Sequence, residues 1–371
     1  MRLYRMELYK LFHKKTVIIA GGISLVWLLF YFVFLQVYDR SATINGVTYH
    51  GFEAIKHDRE ITEEFTGRFT DETAETIVQK YGFPGKVVEN YGYWQDANYL
   101  NGFVTDYLSD GYLNGWAEGE YKKPEQLVPL EETELGAYLK AAGEEEDGFL
   151  FGYTKGWAAL LDFLQNGLVF AGVWTLMCIA PVFAQERQVK TENLILTTEN
   201  GKKKTLQAKL AAGLTAALIA YACVVLLGFL LAGSVFGLSG GTVRLGIAYS
   251  YISTLYGAAF QPVAQFTFFY LLAGLAALLT TAAITLWVSV KCKTAFSAVI
   301  IGFGLWYGPF LLTFFRGIFY LLARAQPLMT VFVAVFIESC HMYSFNGAVL
   351  AAEFGLCMLL VCKGYGKTAK E

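Results

Sequence analysis

The sequence predicts an all-α polytopic membrane protein with six transmembrane helices, and three observations carry that prediction. Hydrophobic residues fill 55% of 371 positions and charged residues only 16%, where soluble domains hold about 45–50% apolar and about 25% charged residues. The mean hydropathy is +0.43. The charges that do occur fence off long uncharged runs. Lysine and arginine, finally, collect on one side of those runs. So much apolar surface cannot be hidden in one soluble core, which excludes a soluble enzyme, a disordered chain and a disulfide scaffold. A formal net charge of -2 predicts no nucleic-acid partner.

Residues 2–15 place Tyr4, Leu8, Leu11 and Phe12 on one helical face, with Arg2, Arg5, Lys10 and Lys14 over the rest. This is a short basic amphipathic helix suited to a membrane surface, or a plain basic anchor. Val17–Tyr38 then carries 22 uncharged residues, enough to span. It is too long for a signal sequence and lacks an A-x-A cleavage site, so it reads as an anchor. Further spans fall at about 164–185, 209–233, 265–290, 295–315 and 344–362. The uncharged stretch Leu245–Val290 has 46 residues. Its first half holds the polar run Tyr249–Tyr256 and Gln261-Pro262, so one span is expected there rather than two. Residues 325–337 are apolar but too short to cross, and Pro327–Ile337 follows a proline start. With the N-terminus inside, 16 Lys/Arg fall in inside segments and only Arg244, Arg316 and Arg324 in short outside loops. The positive-inside rule then puts both termini in the cytoplasm.

The chain divides at 1–38 (interfacial helix and first span), 39–161, and 162–371 (spans two to six, with a loop at 186–209). Segment 39–161 carries 23 Asp/Glu and 10 Lys/Arg, and reads as an α-rich extracellular domain. Trp94, Trp116, Trp157 and many Tyr and Phe argue against disorder. Helices are expected over Ile61–Tyr81 and Glu131–Ala142, the second followed by the acidic loop 144–147. Tight turns are expected around Tyr91–Trp94 and Gly111–Trp116. The segment is either a cap whose aromatics form its own core, or an acidic, aromatic surface for a cationic or amphipathic ligand such as a peptide. No D-x-D-x-D-G spacing occurs, and no metal is expected. The six cysteines form no CxxC pair, and none falls in 39–161.

The loop from Glu186 to Lys209 alternates charged residues with Val189, Leu194, Ile195 and Leu196, as a helix over 186–198 presenting an apolar knob to a soluble partner would. Asn200-Gly201 ends it. The loop resembles that of type-2 ABC exporter permeases, the ABC-2 family, whose members read E-R-x-x-x-T-x-E-x-L-L-x-T-P before a Lys that enters the third span. Glu186, Arg187, Thr191, Glu192, Leu194, Leu196 (shifted by one), Thr197 and Lys209 match in kind. Glu199 stands where the family has proline, and Gly201-Lys202 where it has Ser-Arg. The order of spans matches too, and the family's re-entrant outside helices between spans five and six fit the 325–337 segment. The large outside domain occurs only in some bacterial subfamilies.

The resemblance implies a permease subunit in a bacterial plasma membrane, paired with a second permease as homodimer or heterodimer. It implies a separate ABC ATPase subunit that binds ATP and Mg. The coupling residues it assigns are Glu186, Arg187, Lys190, Thr191, Glu192, Leu194, Leu196 and Thr197. It implies export, and spans poor in polar residues favour a lipid-like or amphipathic peptide cargo. The alternative is a receptor or immunity protein that binds a ligand outside without transport.

Catalytic sites, cofactors and metals are not expected in this chain. No G-x-x-x-x-G-K-[ST] occurs; Gly201-Lys-Lys-Lys-Thr lacks the preceding glycine. Leu238-Ser-Gly-Gly-Thr imitates an ABC signature within an apolar outside loop. Glu338 and His341 read as an outside helix surface. Glu353 lies mid-span, where an ionised carboxylate costs about 2.5–3.5 kcal/mol. It is expected to face protein, either in a substrate or conformational role or in a hydrogen bond to another span.

Overall fold

A computed structural model describes residues 2–86, 94–95, 97–111, 124–143, 148–198, 201–249, 260–315, 317–339 and 342–367. The expected turns at 91–93 and 112–116, the loop 144–147, Glu199, Asn200, His341 and the run 250–256 lie outside those residues. The chain is mostly helical, and among the described residues six helices are long and apolar enough to cross a membrane: Lys15–Tyr38, Lys155–Gln188, Lys203–Val235, Val263–Lys291, Ala295–Leu312 and Tyr343–Tyr365. It is a membrane-embedded, multi-pass protein. Among the described residues the stretch 245–290 holds one such helix.

Two compact units form. The first comprises residues 1–29, 161–229 and 267–371, the second 30–160 and 230–266.

The first unit begins with α1 (Arg2–Phe12) and α2 (Lys15–Phe30), whose π-helical continuation, Tyr31–Tyr38, is counted with the second unit. It then takes in most of α7 (Lys155–Ile179), α8 (Pro181–Gln188), α9 (Glu192–Thr197) and α10 (Lys203–Val235). The helices α12 (Val263–Lys291) and α13 (Ala295–Leu312) follow. After them come α14 (Ile318–Arg324), α15 (Pro327–Thr330), α16 (Val333–Glu338) and α17 (Tyr343–Lys367).

Burial separates the long helices into two kinds. The apolar windows of 155–188 and 263–291 are 67% and 56% buried, whereas the other four are 17–22% buried. α7 and α12 are therefore the central pair, and the rest show wide apolar faces, with Leu226, Phe296 and Leu359 all exposed. Small residues allow the close packing. A Cβ on Gly167 would lie 2.4 Å from Val224 of α10, and one on Gly172 would lie 2.6 Å from Trp306 of α13.

The three short helices of 318–338 are tied to the long ones at depth. The Tyr270 hydroxyl, eight residues into α12, donates to Val331 O at 2.5 Å. Gln165 Oε1, on α7, accepts the Val333 N–H at 2.7 Å.

The second unit carries all the strands among the described residues. A β1–β2 hairpin (Ser41–Ile44, Val47–His50) turns at Asn45-Gly46, both with positive φ, as a two-residue hairpin requires. Then come α3 (Gly51–Glu63), β3 (Gly67–Phe69), α4 (Asp71–Tyr81), β4 (Gly85–Lys86), β5 (Trp94–Gln95) and α5 (Tyr99–Leu108). After α6 (Glu134–Ala141), β6 (Phe149–Phe151) pairs antiparallel with β3.

The helix expected over Ile61–Tyr81 is in fact two helices with a strand between. Thr70 is the reason: its hydroxyl accepts the Thr73 N–H and the Thr73 hydroxyl accepts the Thr70 N–H, a reciprocal cap that starts α4 afresh. The second expected helix, Glu131–Ala142, is a 3-10 turn, Leu130–Glu132, followed by α6, which Thr133 caps. Phe69, Phe103, Phe149 and Phe151 form the aromatic core, joined by Val243 and Ile247 of α11 (Leu245–Ala248) and its approach.

Candidate functional site

The residues singled out after the second span meet in the first unit, around one buried ammonium. Their placement starts at Pro181. Proline lacks an N–H and so begins a helix better than it continues one; α7 stops at Ile179 and α8 starts at Pro181. The interrupted ladder leaves backbone groups to satisfy, and Ser289 of α12 satisfies them. Its Oγ accepts from Phe183 N (2.9 Å) and Ala184 N (3.2 Å) and donates to Ala180 O (2.7 Å).

So anchored, α8 presents Glu186 and Arg187 at its end. The Lys209 side chain, 1% exposed, donates to Glu186 Oε1 at 2.7 Å, Glu7 Oε2 at 3.2 Å and Val182 O at 3.0 Å. Its ammonium also stands over the Phe183 ring, 5.4 Å from the centroid. Glu7 further accepts from Lys10 at 2.8 Å. Three acceptors offset the cost of burying the ammonium, a cost that would be high if it stood bare.

Arg187 forks onto Glu192, Nε to Oε2 at 2.9 Å and a terminal nitrogen to Oε1 at 3.2 Å. Its other terminal nitrogen donates to Val290 O at the end of α12, where helix carbonyls lack partners and a cation is favoured. Gln188 Oε1 accepts the Ala295 N–H at the start of α13. The Tyr365 hydroxyl of α17 donates to Gly201 O at 3.0 Å.

The expected single helix over 186–198 does not form. α8 ends at Gln188, Lys190 takes a left-handed φ of +58°, and α9 has only six residues. The Thr191 N–H closes the turn onto Glu186 O at 2.9 Å. Sorted by exposure, the apolar residues part company. Val189 and Leu194 are exposed at 59% and 70%, while Leu196 is buried with Leu11, Phe183 and Tyr365. Lys190 and Thr197 are exposed. A hollow of ≈ 380 Å³ lies beside the turn, lined by Glu7, Lys10, Lys14, Glu186, Val189 and Thr191 among others. Burial pushes the Lys14 ammonium below its ordinary pKa, the nearby Lys209 and Lys10 acting in the same direction.

Sequence reasoning missed Glu7 and Tyr365. Glu7 carried a signal: it is the one acid in a basic helix, and it sits on the apolar face, three residues after Tyr4 and four before Leu11. Tyr365 carried none.

Glu353 stands apart from this cluster. Its Oε1 accepts from Gln326 Nε2 at 2.5 Å, and its Oε2 is buried without a hydrogen-bond partner. The partner is thus the residue that precedes α15, not another span. Among the described residues no group of three His, Cys, Asp or Glu gathers as a metal site.

Comparison with family models, with curated proteins and with solved structures returns no match for this chain.

Proposed function

We propose that this chain is the permease subunit of an ABC-2 type exporter, driven by ATP hydrolysed on a separate subunit. The observation that carries the reading is the convergence on the α8–α9 turn. Side-chain bonds join Glu186, Arg187 and Gln188, where α8 runs into that turn, to α1, α10, α12 and α13. A push on its exposed apolar tip, Val189 and Leu194, would therefore be felt by four helices together. That is what a coupling element between a soluble motor and a membrane bundle needs: a small docking point and a stiff connection to the moving parts.

In this reading the turn and both termini are cytoplasmic, 39–161 is extracellular, and the membrane is a bacterial plasma membrane. Residues 318–338 are re-entrant: Gln326 reaches Glu353 ten residues inside α17, about 15 Å along the helix. Two permeases pair, and the cargo is lipid-like or an amphipathic peptide. The chain itself carries no catalytic site.

The test is co-purification with the ATPase encoded beside it. Val189→Asp with Leu194→Asp is expected to abolish association and leave the thermal midpoint of the permease within a few degrees of wild type. Association that survives the double change removes the coupling assignment. A neighbourhood with no ATPase gene, and a ligand bound without transport, would favour the receptor alternative.

A further inference from the structure

A second site lies in the unit made of residues 30–160 and 230–266. A cleft of ≈ 240 Å³ opens there, lined by Arg40, Asp58, Tyr99, Phe103, Tyr153 and Lys155 among others. Asp58, on α3, offers one carboxylate oxygen to the Tyr99 N–H at 2.9 Å, the first residue of α5. Among the described residues it forms no ion pair, although the cleft holds two cations. Arg40 is turned back on its own chain, donating to Gln36 O at 3.1 Å and Gln36 Oε1 at 3.4 Å. The Lys155 ammonium sits over the Tyr99 ring, 5.5 Å from its centroid.

The aromatic side of the cleft is fixed. The Tyr99 hydroxyl donates to Gly152 O at 3.1 Å and is 3.0 Å from Thr154 Oγ1. Its ring packs edge-on against Tyr153 and stacks on Phe151. The Tyr99 hydroxyl is spoken for, and the Tyr99 and Tyr153 rings line the cleft. Beside them stands a carboxylate that one backbone N–H satisfies only in part. Burial pushes the Asp58 carboxyl from 3.8 up to about 6, with the Tyr99 N–H, Lys155 and Arg40 opposing.

The geometry points to a binding site for a cationic side chain on an apolar stem, a lysine or arginine of an amphipathic peptide, with Asp58 receiving the charge and Tyr99 and Tyr153 flanking the stem. The excess of 13 acidic over basic residues in 39–161 supplies a long-range attraction for such a peptide. The lining of the cleft sets the size of the bound group, and a carboxylate beside aromatic faces is how proteins hold ammonium and guanidinium groups. This assignment stands whether or not the chain couples to an ATPase.

The charged and titratable groups that line the cleft with Asp58 are Arg40, Tyr99, Asp106, Tyr107, Tyr153 and Lys155, and Arg59 acts on Tyr153. Burial pushes both phenols up, away from neutrality.

The test uses the full chain in lipid nanodiscs and two peptides, acetyl-Phe-Lys-Phe-amide and its norleucine counterpart, titrated by calorimetry. At pH 7.5 the lysine peptide is expected to bind at least tenfold more tightly. That preference should fall about tenfold at pH 5, as a carboxyl with a pKa of about 6 takes up its proton, and should vanish in Asp58→Asn. Equal binding of the two peptides, or a lysine preference that persists in Asp58→Asn, overturns the site. Lys155→Met gives a second reading should Asp58→Asn fold poorly. Removing a repelling charge should tighten the lysine peptide several-fold, and unchanged or weaker binding counts against the assignment.

Discussion

Lys209 in one compact unit and Asp58 in the other present opposite answers to a single problem, a charge drawn out of water. Lys209 is met by two carboxylates and a carbonyl from two separate stretches of chain, α1 and α8. Asp58 is met by one backbone N–H. The first charge is saturated, so it can only hold its neighbours together. The second retains bonding capacity and stands in an open cleft, so it can take a ligand. Burial alone distinguishes nothing here; the number of partners does.

Removing the saturated charge should have the largest effect. Lys209→Met leaves Glu7 and Glu186 with only the half-exposed Lys10 as a cation, and breaking such a buried pair costs about 3–5 kcal/mol. Thermal unfolding of the detergent-solubilised protein measures it. Adding Glu7→Gln and Glu186→Gln to that variant should restore part of the loss; a Lys209→Met protein as stable as wild type would undo the comparison.

Next comes a contrast inside α9. Leu196→Ala removes a buried side chain and should cost about 2–5 kcal/mol, whereas Leu194→Ala, at an exposed site, should change stability by less than about 0.5 kcal/mol. The same unfolding measurement serves, and similar losses at both positions would mean that the tip is not outward.

Asp58 gives a smaller, pH-dependent effect. Its folded pKa lies above the unfolded value of 3.8 at about 6, so the folded state holds the proton longer than the unfolded chain. This group's contribution is fully present below about pH 4 and is lost as pH rises through about 6. Asp58→Asn should flatten that part of the stability profile, and a profile unchanged by the substitution would place the carboxylate in water.

Glu353 should give the smallest shift. Glu353→Gln keeps an acceptor for Gln326 and should move stability by less than about 1 kcal/mol, while altering transport. Glu353→Leu, which strands the Gln326 amide, should cost about 1–3 kcal/mol. Transport unchanged in Glu353→Gln would leave the residue a purely structural bond.

The amino-acid order by itself determined the number and position of the long helices. A run of about 20 uncharged apolar residues has one stable conformation in a bilayer, and that is a local property. Local chemistry also marked the amphipathic start of the chain and singled out the charged loop after the second span. The sequence was silent on how that loop divides. An apolar run with flanking charges reads as one helix, yet the left-handed Lys190 and the Thr191 N–H turned onto Glu186 O cut it into two, with Leu196 buried and Leu194 exposed. Only tertiary structure decided which charges meet: Glu7 and Lys209 lie 202 positions apart, as do Tyr99 and Asp58 at 41. The attraction between two charges depends on their separation in space and on the water excluded around them, and neither is written in the spacing of residues along a chain.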